Sequence, residues 1–304
     1  MIITSKFPGR CKACNGPIAI GDRVSWIKGI SGVEHALCSE EGKPVAAAVQ
    51  ASRATDSAVS YPCPEGKSYM PFQRAGIAYA LNALETQKSC LIADEMGLGK
   101  TVQAIGVINA LPVGQVLIVC PASLKLNWYR EVEAWLTRSL VVGIFPSVAE
   151  ITIVNYDVLH KVPDSNWDLL VCDEAHYLKN GKAKRTKELR RLAGCCQRIL
   201  FLTGTPISNR PKELWSLLQI LAPQKWDGPG TYKGKYLQAG EGAQWFRYAK
   251  RYCDAHQKWV SNSKQVWDFD GASNLDELQE KLRSTLMIRR LKADVLADLP
   301  AKVR

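Results

Sequence analysis

Two stretches of this chain carry residue types at a spacing that suits phosphate and metal chemistry. The first is DEMGLGKT at 94–101, which follows the apolar run SCLIA and opens a stretch with helical spacing. That strand–turn–helix setting is what a P-loop requires. Backbone N–H groups of the turn, from Asp94 and Glu95 through Gly97 and Gly99, and the helix start can cradle phosphates. Lys100 would reach the β- and γ-phosphates, and Thr101 would bind magnesium. The generic pattern G-x-x-x-x-G-K-[ST] is broken at its first position, where Asp94 stands. The second stretch, DLLVCDEAH at 168–176, is an apolar strand ending in two carboxylates. Side chains at the C-terminal end of a parallel strand face the ligand crevice. Asp173 can hold magnesium there, and Glu174 can orient and deprotonate an attacking water. Together they suit the chemistry of a magnesium–triphosphate such as ATP, with Lys100, Asp173 and Glu174 as catalytic candidates.

A third group lies near the N-terminus. Cys11 and Cys14 are two residues apart, and His35 and Cys38 repeat that spacing 20 residues later. Three thiolates and one imidazole at these intervals suit a closed, tetrahedral, structural zinc site. A unit of about 40 residues buries too little apolar surface to fold well alone, so the metal would supply folding energy. What such a module recognises (DNA, a protein or only its neighbour) stays open.

The elements that must position these groups follow from hydrophobic patterning. The apolar runs SCLIA, VLIVC, VVGIF, ITIV, DLLVC and RILFL alternate with stretches of helical spacing at 71–84, 101–111 and 123–136. Short apolar runs alternating with helices predict an α/β fold, a parallel sheet covered on both faces. Residues 1–42 read as a zinc-binding module and 43–67 as a linker or weak helix. A nucleotide-binding lobe is expected over 68–222, and 223–304 as an aromatic and basic insertion leading into a helical segment. A helix is predicted over 273–292, capped by Ser273 or Asn274, with Leu275, Leu278, Leu282 and Leu286 on one face.

Composition narrows the function classes. The chain has 304 residues, 46% hydrophobic and 23% charged, a mix that excludes disorder over most of its length. No apolar run is long enough to span a bilayer, and the N-terminus lacks the apolar core of a signal peptide, so an intracellular protein without a membrane partner is expected. Ten cysteines without a disulfide-like spacing fit a reducing compartment. The net charge of +11 points to a polyanionic partner, nucleic acid first. Residues 179–191 alone hold 7 basic residues against 1 acidic, either a DNA-phosphate contact or a solvated helix face. Trp226, Trp245, Trp259 and Trp267 read as packing of a small insertion in preference to base stacking.

From about residue 68 onward the chain resembles the first RecA-like lobe of a superfamily-two helicase of the Swi/Snf type, a family of DNA-dependent ATPases. DEMGLGKT matches that family's form of the P-loop, its Asp94 included, and DEAH at 173–176 matches its magnesium motif. LTGTPISN at 202–209 matches the segment that couples the ATP site to DNA, and CPASLKLNW at 120–128 resembles a DNA-contacting segment. The stretch at 271–302, preceded by YAKRYCDAH, resembles the annealing-helicase branch, which rewinds or remodels branched DNA.

The resemblance implies roles for further residues. Gln73 would read adenine, and His176, Thr203, Gly204 and Thr205 would couple nucleotide state to DNA. Arg289 and Arg290 would lie near the interface between lobes in a structural or coupling role. It also implies ATP and magnesium as ligands, double-stranded or branched DNA as partner, and a second RecA-like lobe, in cis or in trans, beyond residue 304. In such two-lobed motors the second lobe supplies arginines to the transition state, so the 304-residue chain alone is expected to hydrolyse ATP poorly. A non-hydrolysing DNA- or protein-binding adaptor and a strand-separating helicase share these motifs and remain alternatives.

Overall fold

The structure is a computed structural model and describes residues 2–12, 17–26, 32–35, 43–204, 210–223, 230–232, 235–237, 241–261 and 264–296. The N-terminal part contributes β1 (Ile2–Thr4), β2 (Gly9–Arg10), β3 (Pro17–Ile18), β4 (Arg23–Ser25) and β5 (Glu34–His35). These form an antiparallel three-stranded sheet, β1–β4–β5, and a β2–β3 hairpin around a small cluster of Cys11, Ile18 and Val24. Helix α1 (Lys43–Ala51) follows.

The main body begins with α2 (Pro71–Thr86) and largely alternates helix and strand from there. In order come β6 (Ser89–Ile92), α3 (Lys100–Ala110), β7 (Val116–Cys120), α4 (Lys125–Trp135), β8 (Val142–Ile144) and β9 (Ile151–Asn155). After a 3₁₀ turn the chain continues as β10 (Trp167–Cys172), α5 (Lys184–Ala193), β11 (Cys196–Leu202) and α6 (Pro211–Leu221). Two hairpins, β12 (Gly230–Tyr232) with β13 (Lys235–Leu237) and β14 (His256–Ser261) with β15 (Lys264–Asp268), flank α7 (Glu241–Tyr252). The chain then forms α8 (Leu275–Thr285), β16 (Met287–Ile288) and the short α9 (Lys292–Val295).

Seven strands pair in the order β16–β6–β11–β10–β7–β9–β8, and every neighbouring pair is parallel. The apolar runs are continuous because both faces of this sheet are covered. In β7, Leu117 and Val119 enter one core with residues of α6, α7 and α8. Val116, Ile118 and Cys120 enter the opposite core with α2, α3 and α4. Successive side chains of a strand point to opposite faces, so a two-sided burial demands apolar residues at every position.

Of the segment expected as a linker or weak helix, residues 43–51 form α1, and Ser52 just beyond it, fully buried, accepts hydrogen bonds from Arg283 Nη1 at its Oγ (3.0 Å) and from the Arg289 N–H at its carbonyl (3.3 Å). The helix expected over 273–292 stops at Thr285, and Met287–Ile288 join the sheet as an edge strand beside β6. Asn274, at the start of α8, sits in the left-handed region (φ 49°) and donates through Nδ2 to the Arg251 carbonyl, so it makes no side-chain cap. The insertion also contains α7, whose Phe246, Tyr248, Ala249 and Tyr252 are buried. Trp245 packs on Trp215 and Phe269, and Trp267 meets Phe246 edge-on, whereas Trp259 is largely exposed; Trp226 lies outside the described residues. Among the described residues no helix is long and apolar enough to cross a membrane.

Candidate nucleotide site

Strand order explains why distant motifs meet. β16, β6, β11, β10 and β7 are consecutive in the sheet and parallel, so their C-terminal ends line one edge. β6 runs into the turn at 93–99, β10 into Asp173 and Glu174, and β11 into Thr203 and Gly204. β7 leads to the segment 121–128, and β16 to Arg289 and Arg290.

The turn itself depends on Gly97 (φ +88°) and Gly99 (φ +67°), backbone conformations that a side chain disfavours. At Gly99 a Cβ would also come within 2.5 Å of Gln73 Nε2, so Gln73 lies directly over the turn. Gln73 is fixed by accepting the Met70 N–H at Oε1 (2.9 Å). Lys100, at the first position of α3, folds its ammonium back on the turn and donates to the carbonyls of Asp94 (3.0 Å) and Glu95 (3.4 Å). Burial holds its pKa below the ordinary lysine value, against the opposing pull of Glu174, Asp94 and Asp173. Gly204 closes the far side: a Cβ there would stand 2.4 Å from Met96 Cγ and 3.1 Å from Lys100 Nζ. Thr101 is partly exposed beside Lys100 in the first turn of α3.

The acidic corner is held as firmly. Asp173 is buried, Oδ2 accepting from Trp128 Nε1 (2.8 Å) and Oδ1 from the Glu174 N–H (2.9 Å), while its own carbonyl accepts from Tyr156 Oη (2.7 Å). Burial raises its pKa above the usual carboxylate range, and the Trp128 donor works in the opposite direction. Glu174 sits at φ 50°, a strained backbone for a residue with a side chain and one that clusters at functional sites. His176 Nδ1 lies 3.1 Å from Glu174 Oε2 but off the line of a hydrogen bond, and its ring rests against Tyr177. Thr203 is buried, its N–H bound to the Ile92 carbonyl (3.0 Å), which ties β11 to the strand that precedes the turn. Thr205 lies outside the described residues.

Asp94 belongs to the turn whose backbone N–H groups are expected to cradle phosphate, and its side chain is engaged elsewhere. Its side chain is fully buried and forms an ion pair with Arg290, itself 1% exposed. Arg290 donates to Asp94 Oδ1 through Nε (3.1 Å) and its backbone N–H (3.0 Å), and to Gln103 Oε1 through Nη2 (2.9 Å). Gln103 in turn donates to Asp94 Oδ2 (3.1 Å). A second acidic residue of the turn, Glu95, accepts the Lys292 N–H at Oε2 (2.7 Å). Both carboxylates therefore bolt the turn to the segment after β16.

Trp128 and Gln103 were not singled out on sequence. Gln103 carries one legible signal, a polar residue in the middle of the buried face of α3. Trp128 stands in CPASLKLNW, the segment expected on DNA, yet its ring is buried against the acidic corner. The basic stretch at 179–191 divides: Lys179, Lys182, Lys184 and Lys187 are exposed, while Arg191 is paired with Asp164 and Glu188.

At the N-terminal cluster, Cys11 is buried, and its sulfur accepts the His35 N–H at 3.2 Å. His35 Nε2 lies 3.0 Å from the Pro17 carbonyl. Cys14 and Cys38 lie outside the described residues, and among the described ones no group of three or more His, Cys, Asp or Glu could hold a metal ion.

A seven-stranded parallel sheet flanked by helices, with a glycine-containing strand–turn–helix after β6 and two carboxylates after β10, defines a RecA-like lobe. The SNF2-related domain model matches residues 72–304, and the chain belongs to that family. It is 38% identical over 255 residues to the DNA annealing helicase and endonuclease ZRANB3 of Bos taurus, covering 77% of this chain and 22% of that protein. It is 34% identical over 252 residues to the SWI/SNF-related matrix-associated actin-dependent regulator of chromatin subfamily A-like protein 1 of Xenopus tropicalis, covering 79% of this chain and 24% of that protein. The chain thus spans less than a quarter of the length of these relatives. The fold resembles the SWI2/SNF2 ATPase core of Sulfolobus solfataricus solved in complex with dsDNA, with a TM-score of 0.59 and 23% identity over 77% of this chain and 47% of that one.

Proposed function

We propose that residues 68–296 form the first ATP-binding lobe of an intracellular DNA-dependent ATPase that couples hydrolysis to translocation on, remodelling of or strand annealing in double-stranded or branched DNA. One observation carries the reading: five neighbouring strands deliver the turn, the carboxylates and their supports to one edge, where the Lys100 ammonium, among the described residues, has only carbonyl oxygens as hydrogen-bond partners. A half-buried ammonium bonded to neutral carbonyls keeps donor capacity, and a triphosphate placed over the turn would take it up in charge-assisted hydrogen bonds. Gln73, which lies beside Gly99, would contact the base. Thr101 and Asp173 would hold magnesium: each Asp173 oxygen accepts one protein hydrogen bond and retains a lone pair. Bound magnesium would neutralise phosphate charge during transfer. Glu174 would orient and deprotonate the attacking water, and His176, Thr203, Gly204 and Thr205 would relay the state of the site towards DNA. The exposed lysines of 179–187 suit phosphate contacts that ignore base sequence. The names of the relatives carry the words annealing helicase and chromatin regulator, and they support the DNA half of the proposal.

The N-terminal residues 1–42 are proposed to bind one structural zinc through Cys11, Cys14, His35 and Cys38. The support is the cysteine–histidine spacing and the approach of Cys11 to His35, where the N–H···S hydrogen bond would stabilise a thiolate.

The test is ATP–magnesium binding by the chain, followed by hydrolysis with a second RecA-like lobe supplied. Lys100→Ala should lose binding. Glu174→Gln should bind like the wild type and lose DNA-stimulated turnover. The chain alone should turn over near background, since arginines from a second lobe are worth about 10³–10⁵ in rate. Wild-type binding by Lys100→Ala would overturn the assignment.

A further inference from the structure

Behind the phosphate-binding turn lies a second basic site, a cavity of about 500 Å³ lined by Arg53, Gln279, Arg283, Arg289, Arg290, Leu291 and Asp294. That volume lies within the range of about 300–1,000 Å³ typical of small-molecule sites. Its walls come from three parts of the chain: the end of α1, the helix α8 and the segment after β16.

The charges in it are unbalanced. The Arg290 guanidinium is consumed by the Asp94 pair and so leaves the ledger near neutral. Arg283 spends Nη1 on the carbonyls of Ser52 (3.3 Å) and Arg289 (3.0 Å) and on Ser52 Oγ (3.0 Å). Arg289 spends Nη1 on the Ala93 carbonyl (3.0 Å). Their remaining guanidinium N–H groups, and all those of the Arg53 guanidinium, have no partner among the described residues. Three guanidinium charges thus face a single carboxylate, the exposed Asp294, which is itself engaged by the Leu291 N–H (3.2 Å). Arg283 and Arg289 are half-buried, and burial lowers the pKa of both; in Arg283 the charges of Arg53 and Arg289 add to the effect and Asp294 opposes it, while in Arg289 Asp94 and Glu95 oppose it.

We infer that this cavity is a binding site for a compact anion bearing phosphate groups, separate from the nucleotide site. Several guanidinium forks converging on one recess match the oxygens of a phosphate, to which arginine donates in pairs. Because Arg283 and Arg289 line a recess and only Arg53 is exposed, the geometry favours a small soluble polyphosphate over the phosphates of a duplex, which are met by projecting side chains. The back wall is shared with the turn: Arg289 holds the carbonyl of Ala93, and Arg290 holds Asp94. An occupant would therefore steady the turn from behind. The inference does not rest on the ATPase reading, since it uses none of Lys100, Asp173 or Glu174.

The experiment is titration calorimetry of the 304-residue chain with sodium tripolyphosphate, at constant ionic strength. The Lys100→Ala background keeps the probe off the phosphate-binding turn. One saturable site is expected. Arg53→Glu should weaken it at least about tenfold, the scale of one lost charge-assisted hydrogen bond. Because the Arg53 side chain is exposed and makes no hydrogen bond among the described residues, that variant should fold normally; Arg283→Gln is the companion, checked by its melting curve. Displacement of the probe by a short DNA duplex would assign the bound phosphates to a nucleic-acid backbone, and no displacement to a free polyphosphate. The absence of saturable binding, or binding that Arg53→Glu leaves unchanged, would overturn the site.

Discussion

Replacing Arg290 with methionine keeps most of the apolar stem and removes the guanidinium. Asp94 is then left fully buried, with only the Gln103 amide at 3.1 Å and the backbone N–H of residue 290 at 3.0 Å. Removing one partner of a buried ion pair costs about 3–5 kcal/mol, because the other charge stays in place without compensation. A typical native state is stable by only about 5–15 kcal/mol, so the loss is a large fraction of the whole. At roughly 2–4 °C per kcal/mol for a domain of this size, the melting temperature should fall on the order of 10 °C. The pair also sets the path of the turn, so ATP–magnesium affinity should fall with it. Asp94→Asn removes the same interaction from the other side. Calorimetric melting of both single variants and of the double variant forms a cycle. The double variant should cost less than the sum of the singles by about 1–3 kcal/mol, as directly coupled charges do. If the costs add to within about 0.5 kcal/mol, or if Arg290→Met melts with the wild type, the pair is not what holds the turn.

Three further outcomes are expected. Gly76→Ala should gain about 1 kcal/mol of helix propensity in α2; instead it should destabilise by about 1–3 kcal/mol, because the new Cβ would lie 1.8 Å from Gln103 Oε1 and 2.7 Å from Arg290 Nη2. A stabilised variant in urea titration would show that this network yields easily. Trp128→Phe removes the donor to Asp173 Oδ2 (2.8 Å) and should raise further a pKa that burial already raises. Since a protonated Asp173 cannot hold a cation, the acid limb of ATP–magnesium affinity should move to higher pH, and superimposable pH profiles would refute the link. Metal analysis should find about one zinc per chain, lost in Cys11→Ser with ATP–magnesium binding retained; a metal-free chain would remove the zinc proposal.

The parts of this protein that are legible in one dimension are those that local sequence determines. The turn DEMGLGKT declares itself because strand, turn and helix are contiguous, and its glycines answer a backbone requirement satisfied within a few residues. The apolar runs announce a sheet covered on both faces for the same reason: each strand's burial is written in its own side chains. DEAH reads as an acidic corner because it ends such a run. The pairings that hold these pieces in place belong to the tertiary structure alone. Asp94 stands where the generic turn has glycine, and nothing near it explains why; its partner Arg290 is 196 residues away. Trp128 reaches Asp173 across 45 residues only because β7 and β10 are neighbours in the sheet. The two-residue strand β16 was hidden behind the helical spacing of α8, since two residues carry no period of their own. A charge or a ring has no preferred partner until strand order sets which ends of the sheet adjoin, and here that order gave the Asp94 side chain its buried role as a support for the turn.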